Sequence, residues 1–153
     1  MDTISGIPAH ALLVHGIVVL APLTALLEIL CAFWPAARRR LVWLVLVFAA
    51  VTTVLTPLTT TAGEWLLEEG GPPRPILLEH AERGEWMIYF SVAMLIVALA
   101  LAALHWAESR SDKPRKAATI VLAVVALVVG VSSIVAVVRI GHSGAETVWG
   151  DRG

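Results

Sequence analysis

A single cysteine, Cys31, stands in the 153 residues. An intramolecular disulfide and a cysteine-based metal motif are therefore both excluded, and the residue reads as a small core side chain. Charge is scarce too, at 15% of residues, against about 25% in an ordinary soluble domain. With a net charge of -1 there is no basic face to neutralise phosphates, which argues against a nucleic-acid partner. The sequence shows no nucleophile–base pairing, no phosphate-cradling glycine loop and no paired catalytic carboxylates. A hydrolase or transferase is accordingly disfavoured, no residue is assigned as catalytic, and a redox carrier stays open. The opening "MDTISGIPAHALLVHG" lacks the basic stretch of a secretory signal and runs into a long apolar segment, so it is expected to be retained.

What the chain has in abundance is apolar residues, 58% of the total, with a mean hydropathy of +0.84. Four runs carry them: Ala11 to Trp34, Leu41 to Ala62, Trp86 to Trp106 and Ala117 to Val138. At about 1.5 Å per residue each is long enough to cross a hydrocarbon core of about 30 Å. Backbone groups inside lipid must pair within their own segment, so helices are expected. The fold class is thus an all-α integral membrane bundle of four spans, one domain over residues 1–153, seated in a lipid bilayer.

Short loops set the expected orientation. Arg38, Arg39 and Arg40 join the first two runs, and Arg110, Lys113, Arg115 and Lys116 join the last two. Both loops are expected on the cytoplasmic side, with both termini outside. The middle loop is acidic instead, with six glutamates between Glu64 and Glu85. Trp34, Trp43 and Trp106 then fall at the inner boundary, and Trp65, Trp86 and Trp149 at or beyond the outer one. Breakers at Gly70, Gly71, Pro72, Pro73 and Pro75 divide the middle loop, and "RPILLEHAERGEW" is expected to be an interfacial helical lead into the third span.

On this topology four of five histidines gather at the outer face: His10 and His15 opening the first span, His80 before the third, and His142 after the fourth. His105 alone falls on the inner side and reads as an interfacial residue. Imidazole is the commonest metal ligand and also a haem ligand, and bundle sites are built from facing helices. Residues five apart on a helix lie about 140° around its axis. His10 and His15 therefore share a site only if the start around Pro8 is not helical. Gly141 and Gly144 beside His142 are expected to let the backbone turn and approach closely. Arg83 and Arg139, at the same level, could pair with haem propionates or anchor at the interface.

Inside the spans, Thr52, Thr56, Thr59 and Thr60 share one helix face beside Pro57, which reads first as packing between helices. Glu28 is different: an intramembrane carboxylate is expensive and is by default a functional candidate, here for proton handling.

The segments "IPAHALLVHG", "LLEHAERGEW" and "IGHSGAETVWG" together resemble the bacterial domain-of-unknown-function 2231 membrane family. The resemblance covers essentially the whole chain and implies a four-span architecture. It matches His10, His15, His80 and His142 to that family's histidine positions, with Glu146 retained. Ala11 stands where the family carries proline, and Ala145 where it carries glycine. Relatives joined to cytochrome c-like domains turn the expectation towards electron transfer. The leading expectation is haem b near the outer leaflet, with His15 and His80 as the axial pair, exchanging electrons with a quinone or a respiratory partner. The alternatives are a copper or zinc site at the same histidines, with Glu79, Glu82 or Glu146 as oxygen ligands, and a cofactor-free accessory subunit. A homo-oligomer is compatible with each.

Overall fold

The computed structural model describes residues 3–4, 7–70, 72–111 and 113–149. After a two-residue antiparallel ladder, β1 (Thr3–Ile4) with β2 (Ile7–Pro8), come five helices. They are α1 (Ala9–Phe33), α2 (Pro35–Glu69), α3 (Pro75–Glu85), α4 (Met87–Ser109) and α5 (Lys116–Trp149). α1, α2, α4 and α5 are long and apolar enough to cross a membrane, and α3 is the shorter, charge-bearing helix that leads into α4.

The helices outrun the apolar runs that announce them. Arg38–Arg40 are not a loop but the second turn of α2, and Glu64–Glu69 are its last turns. Polarity marks where lipid ends, whereas the backbone ladder stops only where something breaks it. Between α1 and α2 that break is one residue: Trp34 takes an extended conformation and Pro35 starts the next helix, the first-turn position a proline tolerates best. So short a connection forces α1 and α2 into an antiparallel hairpin. α1 packs along α2 and α5, α4 along α2 and α5, and α3 lies against α5.

The buried positions follow one spacing on every span. They are Arg38, Val42, Val45, Ala49, Thr52, Thr56 and Thr59 on α2, and Ile17, Ala21, Thr24, Glu28 and Cys31 on α1. Met87, Ser91, Met94, Ala98 and Leu101 continue the pattern on α4, as do Ala123, Ala126, Ser133 and Val137 on α5. Steps alternating between three and four residues are those of knobs-into-holes bundle packing. Small residues hold many of these places because without a hydrophobic force between helices in lipid, close backbone approach supplies the attraction. The tightest approach is at Gly130, where an added Cβ would sit 2.8 Å from Ile29 Cδ1 and 3.3 Å from the Ala25 carbonyl oxygen. Leu, Val and Ile side chains cover the outside of the spans, the inverse of a soluble protein.

The threonine face packs as the sequence suggested. Thr52, Thr56 and Thr59 donate to the carbonyls of Phe48, Thr52 and Leu55, each four residues back, at 2.8 Å. Thr53 Oγ1 lies 2.8 Å from its own Ala49 carbonyl and 3.0 Å from that of Ser91, across to α4. Cys31 is fully buried, the core role expected of it.

At the α1–α2 turn, Arg38 departs from its expected role as an exposed topogenic charge. Its side chain is 1% exposed; Nε and Nη2 donate to the two Glu108 carboxylate oxygens at 3.2 and 2.8 Å, and Nη1 donates to the Cys31 carbonyl at 2.9 Å. The guanidinium closes the last turn of α1 and ties it to α4, while Arg39 and Arg40 remain exposed.

The Gly130 contact sets a stability prediction. Gly130→Leu forces α5 away from a backbone carbonyl as well as from a side chain, and should lower unfolding free energy by about 1–3 kcal/mol, read by denaturant titration in detergent micelles. Gly16→Ala, whose Cβ meets only Leu55 Cδ1 at 3.6 Å, should change it little.

Candidate functional site: a histidine pair at one end of the bundle

Two of the four clustered histidines meet. His10, one residue into α1, and His80, midway along α3, have ring centroids 6.4 Å apart and planes at 85°. Both side chains are half-buried. His10 is fixed from α2: its Nδ1 lies 2.9 Å from the Thr59 carbonyl oxygen. A carbonyl can only accept, so Nδ1 carries a proton and donates it.

His80 is fixed from α5 by the same logic taken one step further. Its Nδ1 is 3.1 Å from Ser143 Oγ, and that hydroxyl already donates to the Ile140 carbonyl at 2.9 Å. Having spent its one proton, Ser143 accepts, so His80 also donates from Nδ1 and leaves Nε2 bare. α3 precedes the apolar run Trp86 to Trp106 of the third span. Half-burial, followed by the neighbouring His10 ring and the Arg83 guanidinium, holds the His80 imidazole below the usual histidine range against an opposing pull from the Ile140 backbone. The neutral form is the one favoured.

Two glycines make room for the rings. A Cβ at Gly63 would lie 2.9 Å from His10 Cε1 and Nδ1, and one at Gly144 would lie 3.0 Å from His80 Cε1. The expected backbone turn around His142 is not what these glycines provide. α5 runs unbroken to Trp149, and Gly141 has nothing within 4 Å of where a Cβ would stand. The close approach is real at Gly144 alone, and it serves His80 from the helix surface.

His15 and His142 stand apart from this pair. α1 begins at Ala9, so His10 and His15 are both helical and diverge by about 140°. His15 is exposed, with Nδ1 bonded to the Ala11 carbonyl of its own helix at 2.5 Å. His142 is 74% exposed and lies 3.2 Å from Glu146 on the next turn. It lines, with Arg83, Val138 and Arg139, an open cleft of about 310 Å³ between α3 and α5. The two arginines singled out as propionate partners thus meet in one place, Arg83 also pairing with Glu79. Arg74 reaches across to the Thr147 carbonyl at 2.5 Å and pins the start of α3 to α5. Among the described residues no group of three or more His, Cys, Asp or Glu side chains is disposed to hold one metal ion. His105 lies at the opposite end, edge-on to Trp43 with centroids 6.4 Å apart.

Sequence reasoning missed Thr59, Ser143 and Gly63 as supports of the pair. Their signal is visible only afterwards: Thr59 precedes Gly63 by one helical turn, and Ser143 lies between His142 and Gly144.

Together, these features define a small four-span membrane protein carrying a two-imidazole site at one end of its bundle. Residues 6–153 match the family described as "Predicted membrane protein (DUF2231)", and the chain belongs to that family. No curated protein and no solved structure matches it.

The glycine seats are directly testable. Gly63→Val and Gly144→Val should each displace one imidazole, shift the histidine ring resonances in NMR spectra of the detergent-solubilised protein, and cost about 1–3 kcal/mol. Gly141→Val should leave those resonances in place.

Proposed function

We propose that the chain is an electron-carrying membrane protein that binds one haem b at its histidine end, with His10 and His80 as axial ligands. The observation that carries this reading is the pair itself: perpendicular rings 6.4 Å apart, each with Nδ1–H committed to the protein. Two metal–nitrogen bonds of about 2 Å, with half a ring on either side, add to a similar length. An Nδ1–H held by a carbonyl or hydroxyl is the arrangement that orients a ligating imidazole and raises its basicity.

The choice between haem and a bare ion follows from donor number. Zinc and copper sites draw three or four ligands from protein, and no group of three such side chains is gathered among the described residues. A porphyrin brings four nitrogens of its own and needs two axial ligands. Arg83 and Arg139, in the neighbouring cleft, supply the cationic partners that propionates require. His10 replaces His15 in the axial pair because the helical start of α1 turns His15 away. When bound, the haem would supply one-electron chemistry; the protein's part is to hold both imidazoles in place.

The positive-inside distribution of Arg38–Arg40, Arg115 and Lys116 supports placing the histidine end on the outer face of a bacterial inner membrane. A quinone or a respiratory protein would then be met from that side. Copper or zinc at the same pair is the second reading, favoured by two neighbouring imidazoles each anchored through Nδ1.

A reduced-minus-oxidised visible spectrum of protein expressed with added haem should show a b-type band at near-stoichiometric haem. His10→Ala and His80→Ala should each lose most of it, whereas His15→Ala and His105→Ala should keep it. A flat wild-type spectrum with bound metal in elemental analysis would transfer the site to copper or zinc. Equal retention in all four variants would discard the pair.

A further inference from the structure

Glu28 is fully buried on the inward stripe of α1, and neither carboxyl oxygen has a hydrogen-bond partner among the described residues. Its neighbours along that stripe explain why. Cys31 and Ala32, one turn away, belong to an apolar cluster completed by Val42, Val45, Ala49 and Leu101. One turn in the other direction, Thr24 has already given its proton to the Leu20 carbonyl at 2.7 Å. What Thr24 retains is a lone pair, useful to a protonated acid and useless to a carboxylate. A hard cation is no better served, since calcium-like ions take six or more oxygens and the cluster offers carbon. The species that matches these surroundings is the neutral acid.

The charged groups nearest to Glu28 all lie towards the arginine end. Arg38 on α2 bonds the carbonyls of Cys31 and Ala32, one turn beyond Glu28, and holds Glu108 of α4. Arg38 and Glu108 line an open cleft of about 370 Å³ together with Arg115, Lys116 and Ile120 from the start of α5. His105 and, at its C-terminal cap, Arg110 on α4, Lys113 just beyond it, and the exposed Arg39 and Arg40 on α2 are the further ionisable groups at that end among the described residues. The way to the opposite end is far longer, His10 being eighteen residues and about 27 Å along α1.

We propose that Glu28 is an intramembrane proton-binding site that exchanges with solvent through the Arg38–Glu108 cleft. The site stands whether or not haem occupies the histidine end, because no residue is shared between the two.

Infrared spectroscopy of the full chain in lipid nanodiscs tests the site at neutral pH. The expected result is a protonated-carboxyl stretch that shifts on transfer to D2O and is lost entirely in Glu28→Gln, a near-isosteric stand-in for the neutral acid. A band that survives in Glu28→Gln, or that never shifts, would overturn the proposal. Wild-type protein gives a reading independent of variant folding. Dicyclohexylcarbodiimide, which attacks protonated carboxyls from the apolar phase, should modify Glu28 as seen by peptide mass spectrometry, and an unmodified Glu28 would count against the site. For the route, Ile120, 64% exposed at the cleft, is replaced by Cys, and deuterium exchange of the band is compared before and after attachment of a bulky maleimide. Slower exchange after labelling supports the cleft; an unchanged rate removes it as the path.

Discussion

Hydrocarbon offers no hydrogen bonds, so every polar atom within the spans must find its partner inside the protein. That constraint organises more than the backbone. Thr24, Thr52, Thr56, Thr59 and Ser133 each give their hydroxyl proton to a carbonyl four residues back on the same helix. The side chains are thereby satisfied without reaching across, and the interfaces between helices are left to shape. Alanine and glycine at the inward three-four positions let the helices come close, and Gly130 brings α5 against the α1 backbone. A bundle built this way is held by contact along its whole length, with few directional bonds between helices. Arg38 is the main exception, and it sits at the end where water can help solvate its partner Glu108.

The fold was legible because its causes are periodic. Apolar runs of spanning length and a basic–acidic–basic alternation of loops need no tertiary information to read. The helical lead α3 was legible from Pro75 and the breakers before it. The boundaries were not, since Arg38–Arg40 and Glu64–Glu69 continue helices that composition had already ended. A ladder of backbone bonds is indifferent to whether its side chains meet lipid or water.

The site was legible in its residues and not in its pairing. Which end of the chain the histidines share follows from topology, and the angle between His10 and His15 follows from helix geometry alone. That angle could be used only once α1 was known to be helical from Ala9. The anchoring of the two rings depends on Thr59, forty-nine residues from His10, and Ser143, sixty-three from His80. No local pattern encodes such distances. The glycines beside His142 misled for a related reason: a glycine can signal a turn or a close neighbour, and Gly144 does the second within an unbroken helix.

The histidine pair and Glu28, left outside this packing scheme, share one electronic property. Because the hydroxyl protons have gone to carbonyls, the interior is richer in lone pairs than in free donors. Nδ1–H donation to Ser143 leaves a bare Nε2 on the neutral His80 ring. Glu28 has two carboxyl oxygens and no donor facing them. Lone pairs in an apolar interior are stabilised by what accepts them, and for a buried carboxyl that is a proton. Arg38 presents the opposite case, a buried cation whose donors have found carbonyl and carboxylate oxygens, and it calls for no ligand. By this reasoning the histidine pair and Glu28, not the arginine, are the places where the bundle has chemistry to offer.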